Sequence, residues 1–332
     1  MTGADAIAAA LPERRRRTVG SFLRAYGALL GMVAVLVLVA AIKPSFLSSA
    51  NVLNVLRQST VLVILASGLT VVLMLRGVDL SVAQITDASA LAAAALLVHG
   101  QPVWVAFAAP LVLGTLIGAF NGLMMAYLGV PAIIGTLGTM FIVRSGELIY
   151  SKGSEPQILF TLPKAVTQDF LFLGQKAVGA VPVLILLALA MFALAQGLVG
   201  LTPFGRYARA VGSNVRAAFL AGVDVRGVFG AGFVVSGLLA AVAGVAIASR
   251  TGIAVPRGAE PYLLDAFAAC YLGTLASRTG AMSIPGTLVG GLFVSFLGNG
   301  LTILGLGAPT RFALNGLFIL LAMAVGALRR PA

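Results

Sequence analysis

Long apolar runs, separated by short polar, charged or Pro/Gly-rich clusters, dominate the chain from residue 22 to residue 328. A helix needs about 20 mostly apolar residues to cross the hydrocarbon core of a bilayer. Cutting the runs at their polar interruptions predicts ten such helices, at 22–42, 59–75, 81–98, 102–127, 131–150, 182–200, 228–249, 262–276, 284–304 and 310–328. The second, third and eighth runs are short, so a re-entrant segment is an open alternative there. The expected fold class is all-α, a polytopic helical bundle at 22–328 behind an N-terminal tail at 1–21. Arg14 to Arg17 ahead of the first run give the outline of a secretion signal. That run, however, is too long for a signal's apolar region and lacks a small-residue cleavage site, so it reads as a retained span.

Inside the runs, small residues recur four apart at Gly118 and Gly122, at Ala240, Gly244 and Ala248, and at Gly286 and Gly290. This spacing lets helix backbones approach closely in lipid. GTLIG at Gly114 to Gly118 returns as GTLVG at Gly286 to Gly290, and LGVP at Leu128 to Pro131 returns as LGAP at Leu306 to Pro309. Two halves of five spans in opposite orientation would leave such an echo. The two motifs lie 14 residues apart in one half and 20 in the other, which keeps coincidence open.

Composition identifies the solvent. The chain is 60% hydrophobic and 10% charged, with a mean hydropathy of +1.06, far beyond the range of soluble domains. A net charge of +12 invites nucleic acid or anionic lipid as a partner, but the basic residues are spread between the runs instead of forming one patch. With the N-terminus inside, 13 of the 22 Lys and Arg residues fall in inner segments, among them Arg76, Arg206, Arg209, Arg216, Arg226, Arg278, Arg329 and Arg330. Cytoplasmic loops retain such residues, so both termini are expected in the cytoplasm and no nucleic-acid partner is expected. The longest outer segment, 151–181, mixes polar and apolar residues and predicts a partly structured cap. One cysteine, Cys270, and one histidine, His99, build neither a disulfide framework nor a Cys/His metal site. No metal and no cofactor are expected.

Ionisable residues inside spans are costly and therefore functional candidates. Asp87 lies with Gln84 and Thr86 in the third run, Arg144 with Glu147 in the fifth, and Asp265 near the outer end of the eighth, where water is close. Arg144 and Glu147 are three apart on one helix face and are expected to neutralise each other. No HExxH, no Gly-rich phosphate loop with lysine and no nucleophile beside a base occurs, so no catalytic residue is assigned. Too few buried carboxylates are present for an obvious ion relay. Uphill transport by such a chain would draw its energy from another subunit.

One polar segment, Gly205 to Gly227, interrupts this pattern between the sixth and seventh runs. Arg206, Arg209, Ser213 and Arg216 form one stripe at helical spacing, and Tyr207, Val211, Val215, Ala218 and Phe219 form the opposite one, as in a helix lying on a surface. Gly212 is expected to break it, with Ser213 or Asn214 capping a second short helix that ends at Gly222. RAAFLAG at Arg216 to Gly222 is similar to the EAA-x3-G docking motif of ABC importer permeases, with Arg216 where the motif has Glu. The surrounding AVGSNVRAAFLAGVDV resembles the corresponding loop of the ribose, xylose, arabinose and galactose group of permeases. Phe46 to Val82 resembles the family segment that ends in GG-[IV]-DLS-x-G, with Arg76 and Ala83 as departures. VPAIIGTLGTMFIV resembles the TLGTM block, and PYLLDAFAACYLGTL through PGTLVGG resembles the LDAIAA to GTLxG region. Where the family has a Gly-rich turn, this chain reads LGTLASRTGAM.

The resemblance covers residues 46–325. It implies a ten-span subunit of a bacterial inner-membrane ABC importer for a monosaccharide or similar polar solute. Its expected partners are a cytoplasmic ATP-binding subunit, a periplasmic or lipid-anchored solute-binding protein and a second permease subunit, in a homodimer or heterodimer. It also implies a coupling loop at 201–227, in which Arg209, Asn214, Arg216, Ala217, Ala218 and Gly222 would meet the ATPase. A polar, uncharged solute needs hydroxyls and amides that bind it weakly, and Gln84, Thr86, Asp87, Asn121, Thr136 and Asn299 are the candidates for that pathway. Branched-chain amino acid, nucleoside and autoinducer permeases, ion-driven secondary transporters and a purely structural membrane protein remain the alternatives.

Overall fold

The computed structural model describes residues 19–277 and 280–328; Arg14 to Arg17, Arg278, Arg329 and Arg330 lie outside the described residues. Among the described residues thirteen α-helices follow one another: α1 (Val19–Ile42), α2 (Ser49–Met74), α3 (Val82–Val98), α4 (Val103–Ala126), α5 (Ala132–Tyr150), α6 (Lys164–Gln175), α7 (Val183–Leu201), α8 (Pro203–Ser213), α9 (Val215–Leu220), α10 (Val225–Thr251), α11 (Glu260–Ala276), α12 (Ile284–Ile303) and α13 (Ala308–Leu328). Each of the ten apolar runs falls on one of them, and α6, α8 and α9 are the additions. Six of the described helices, α2, α4, α5, α7, α10 and α12, are long and apolar enough to cross a membrane by length and composition. The fold is an all-α polytopic membrane bundle.

Hydropathy misjudges one boundary. The second run was expected from 59, whereas α2 starts at Ser49 and is capped by Ser48, whose hydroxyl accepts the amide of Asn51. The missing turns carry Asn51, Asn54 and Gln58, polar residues that face other protein groups or a cavity instead of lipid. The short third and eighth runs are continuous helices of 17 residues.

Two helices form the centre. All of α2 from Ser59 to Met74 is buried, and most of α10 is as well, while α4, α5 and α7 expose most of their surface. A helix apolar on every side belongs in such an interior. Helices α3 and α4 pack on α10, α11 and α12 pack on α2, and α2 and α10 pack on each other. Under a division of the ten runs into five and five these two sets correspond. The echoed glycines do not: Gly114 and Gly118 face α10, whereas Gly286 and Gly290 face α11.

The predicted small-residue positions mark these crossings. A Cβ at Gly114 or Gly122 would lie 2.7 Å from the carbonyl oxygen of Gly237 or Gly230 on α10, and one at Gly118 would strike the carbonyl of Phe233. On the other side, a Cβ at Gly286 would lie 2.6 Å from the oxygen of Gly273, and one at Gly290 would meet that of Ala269. Backbones in van der Waals contact supply the packing that lipid, being apolar itself, cannot drive.

The bundle has two dissimilar ends. At one, the cap end, residues 157–158 pair antiparallel with 253–254, and α6 lies on α10, with Phe170 and Leu159 buried among Ala90, Leu97 and Ala248. At the other, the lever end, α8 and α9 sit beneath α2, α7 and α10.

Candidate functional site

The lever is held by close backbone contacts. Pro203 starts α8, and its inward face carries Gly205, Ala208 and Val211 at a spacing of three. A Cβ on Gly205 would overlap the carbonyl of Val199 on α7, and one on Gly212 would overlap that of Met74 at the end of α2. Gly212 therefore stays inside α8 and does not break it as expected; it is there because α2 touches the helix at that point. The break comes at Asn214, whose backbone is extended and whose side chain accepts the amide of Ala217 at 3.0 Å, capping α9.

Gly222 closes α9. It adopts φ +80, its amide donates to Phe219 O at 2.9 Å and the Val223 amide to Ala218 O at 3.1 Å. This paired termination needs a left-handed residue just past the helix, which is why glycine stands there. Asp224 then caps α10 through the amide of Gly227. Arg76, at φ 60 in a position where the resembled pattern has glycine, donates to the carbonyl of Ser213 and ties the loop after α2 to the lever.

The apolar stripe of the lever is only partly covered. Val211 and Ala218 are buried with Leu75 and Val228, but Tyr207, Val215, Phe219 and Leu220 are exposed, the last two at 68% and 76%. The apolar stripe thus does not lie on the bundle as a single covered face. Short helix α9 shows a bare apolar knob, with Arg206, Arg216 and Arg226 exposed around it. Arg209 is exposed but donates to the carbonyl of Val199, capping the end of α7. Among the six expected coupling residues, Arg216 and Ala217 are exposed on α9, Ala218 is buried beneath it, Asn214 and Gly222 shape its ends, and Arg209 on α8 bonds the end of α7.

Five of the six expected pathway residues are engaged between helices. Gln84 donates to Glu147 at 2.6 Å, Thr86 to the Ala240 carbonyl at 3.1 Å, and Asp87 accepts the Ala259 amide at 2.6 Å. Asn121 donates to Ser81 at 2.8 Å and accepts from Thr139 at 2.6 Å, while Thr136 accepts the Leu80 amide at 3.1 Å. All five are buried. Glu147 is thus partnered by Gln84, and Arg144 by Glu260 at 3.3 Å. The expected Arg144–Glu147 pair does not form, because each has a nearer partner on another segment.

Asn299 borders open space. It exchanges hydrogen bonds with Asn51 and lines a cavity of about 350 Å³ between α2, α11, α12 and α13. Asn54, Gln58, Leu62, Pro261, Tyr262, Asp265, Ser295, Gly298, Thr302 and Arg311 complete its wall. Asp265 is buried, not water-bathed as its position near a helix end implied; Arg311 and Asn315 of α13 both donate to its carboxylate. Asn54 and Gln58 on its wall are exposed, and Leu62, further along α2, is buried. Eight residues further along α2, about 12 Å at the helical rise, Thr70 meets Thr287 at 2.6 Å and Cys270 at 3.2 Å in a buried junction of α2, α12 and α11. Asn54, Gln58 and Arg311 escaped sequence reading because the first two fell before the predicted start of a span and the third was counted as loop charge. Their signal was the Asn54 and Gln58 spacing of four, on one helix face.

Comparison with known proteins identifies the kind of bundle. The branched-chain amino acid transport system permease component family matches residues 51–328. A ribose import permease of Haemophilus influenzae is 33% identical over 305 residues, covering 92% of this chain and 94% of that protein. The ribose import permease of Bacillus subtilis is 33% identical over 311 residues, 94% of this chain and 95% of the relative. An autoinducer 2 import system permease of Escherichia coli is 32% identical over 293 residues, 88% of this chain and 84% of the relative. No solved structure matches.

Proposed function

The chain belongs to the branched-chain amino acid transport system permease component family, and from that premise we propose that it is the membrane-spanning subunit of an ATP-driven importer for a monosaccharide. It is a multi-pass membrane protein and not an enzyme; ATP is hydrolysed on a separate subunit. Its relatives over nearly the whole chain are named for ribose import, which supports the sugar reading over the autoinducer one.

The observation that carries the proposal is the lever. A six-residue helix, fixed at both ends by its own caps, presents Val215, Phe219 and Leu220 to solvent at one end of the bundle. Exposed apolar clusters rimmed by charge mark protein interfaces, and aromatic anchors seated in a partner's pocket carry most of the energy of such contacts. The partner is the cytoplasmic ATP-binding subunit, which puts the lever end in the cytoplasm with both termini, and the cap end outside, where a solute-binding protein delivers the sugar. A second permease subunit completes the membrane pair.

Force then has a defined route. Closure of the ATPase moves α9 and α8, and Gly212 against Met74 passes that movement to α2. This helix of 26 residues is about 39 Å long at 1.5 Å per residue and reaches the cavity at the opposite end. Rigid-body movement of packed helices is a common form of alternating access. As a test, Gly222→Asp places a charged residue at the αL exit of the lever; ATP-driven uptake in vesicles should fall at least about 100-fold, on the scale of losing an interface anchor, while membrane insertion stays normal. Normal uptake by this variant would remove the coupling role.

A further inference from the structure

The cavity between α2, α11, α12 and α13 has a chemistry more specific than a passage. Three amides, Asn54, Gln58 and Asn299, stand on its wall beside the hydroxyls of Ser295 and Thr302. An amide offers two donors and an acceptor of two lone pairs, and each sugar hydroxyl is itself donor and acceptor, so the two match without net charge. The charged groups on the wall are Asp265 and Arg311, and they are paired with each other. The wall is therefore electrically balanced. Arg311 still keeps its Nε without a protein partner, lying over Gly298, where a Cβ would come within 3.0 Å of that atom.

Size agrees with chemistry. A volume of about 350 Å³ is that of roughly a dozen waters at ~30 Å³ each, enough for one small ring with part of its hydration. The floor is apolar Leu62, and beyond it the Thr70, Thr287 and Cys270 junction is closed. On these observations we propose that the cavity is a weak binding subsite within this chain for one neutral polyhydroxylated solute, held after delivery and before passage inward. A free amino acid fits it poorly, because its ammonium and carboxylate would each need a charge that Asp265 and Arg311 already spend on one another. This inference rests on the importer reading and adds to it where the solute waits and why it must be uncharged.

Cysteine protection tests it in the membrane complex of the permease and its ATP-binding subunit. Cys270, the only native cysteine, is buried, so Ser295→Cys adds one cavity thiol to a background that stays silent. The permease with its ATP-binding subunit, reconstituted in nanodiscs without solute-binding protein, is labelled with a methanethiosulfonate reagent in the presence of D-ribose, D-xylose or L-leucine. A sugar should slow labelling about tenfold when present at ten times its dissociation constant, leucine should not, and Asn299→Leu in the same background should weaken the sugar's protection about tenfold. A thiol at 295 that is unreactive without sugar, protection by leucine equal to that by sugars, or no protection at the highest soluble sugar concentration would each overturn the subsite. ATP-dependent sugar uptake by the unmodified importer is measured alongside; its absence would count against the importer reading itself, independently of the labelling result.

Discussion

Two groups of polar side chains lie inside this bundle, and they behave in opposite ways. Around α3, α4, α5 and α10, Gln84, Asn121, Thr136 and Thr139 bond to one another's helices in close-packed, buried contacts. Around α2, α11, α12 and α13, Asn54, Gln58, Asn299 and Thr302 border a cavity. The residue types are the same. What separates them is the crossing beneath: where α4 meets α10, three glycines in succession bring the backbones together and leave no space, while the partners on the other side stand apart toward the cap end. Polar groups in the first set fasten helices, and those in the second border open space. An intramembrane amide thus acquires its role from the helix spacing around it, not from its own chemistry.

Substitutions separate the two sets by kind of effect. The largest change belongs to the crossing itself: Gly118→Leu drives a side chain into the Phe233 carbonyl and should destabilise the bundle by about 3 kcal/mol or more, read as loss of monodisperse protein in detergent. Next comes Asn121→Leu, which removes the amide that donates to Ser81 and accepts from Thr139 while both hydroxyls keep a second partner, Asp79 and the Gly135 carbonyl; about 1 kcal/mol of stability should go, seen as a lower unfolding temperature, with uptake per folded molecule unchanged. The smallest stability effect belongs to the cavity. Gln58→Leu, at an exposed position hydrogen-bonded only to Asn54, should change stability by less than about 0.5 kcal/mol. Uptake of sugar by that variant should nevertheless fall about tenfold, equivalent to about 1.4 kcal/mol. If Gln58→Leu lost stability and kept transport, or Asn121→Leu did the reverse, the division would be wrong.

The spans were readable because lipid enforces a length and an apolar surface, and even the 17-residue helices α3 and α11 lie where the runs placed them. The lever was readable too, with Asn214 as one of two expected caps and Gly222 as exit, because caps are local chemistry. What failed was decided by distant residues. Arg144 and Glu147 share a helix face, yet Glu260 and Gln84 claim them. Gly212 resembled a breaker and is a contact with Met74. The start of α2 was lost because hydropathy counts Asn51, Asn54 and Gln58 as loop, although two of them line a cavity and the third bonds Asn299.

Both polar regions connect to the same place, since α8 and α9 touch the end of α2 and the start of α10, the two central helices. The account therefore depends on the lever meeting the ATP-binding subunit. Phe219→Cys, exposed on α9, and Phe172→Cys, exposed on α6 at the cap end, can be compared by cysteine cross-linking in uptake-competent membranes. The account predicts an adduct with the ATP-binding subunit from position 219 and none from position 172. An adduct from 172, or none from 219 while ATP-driven uptake persists, would contradict it.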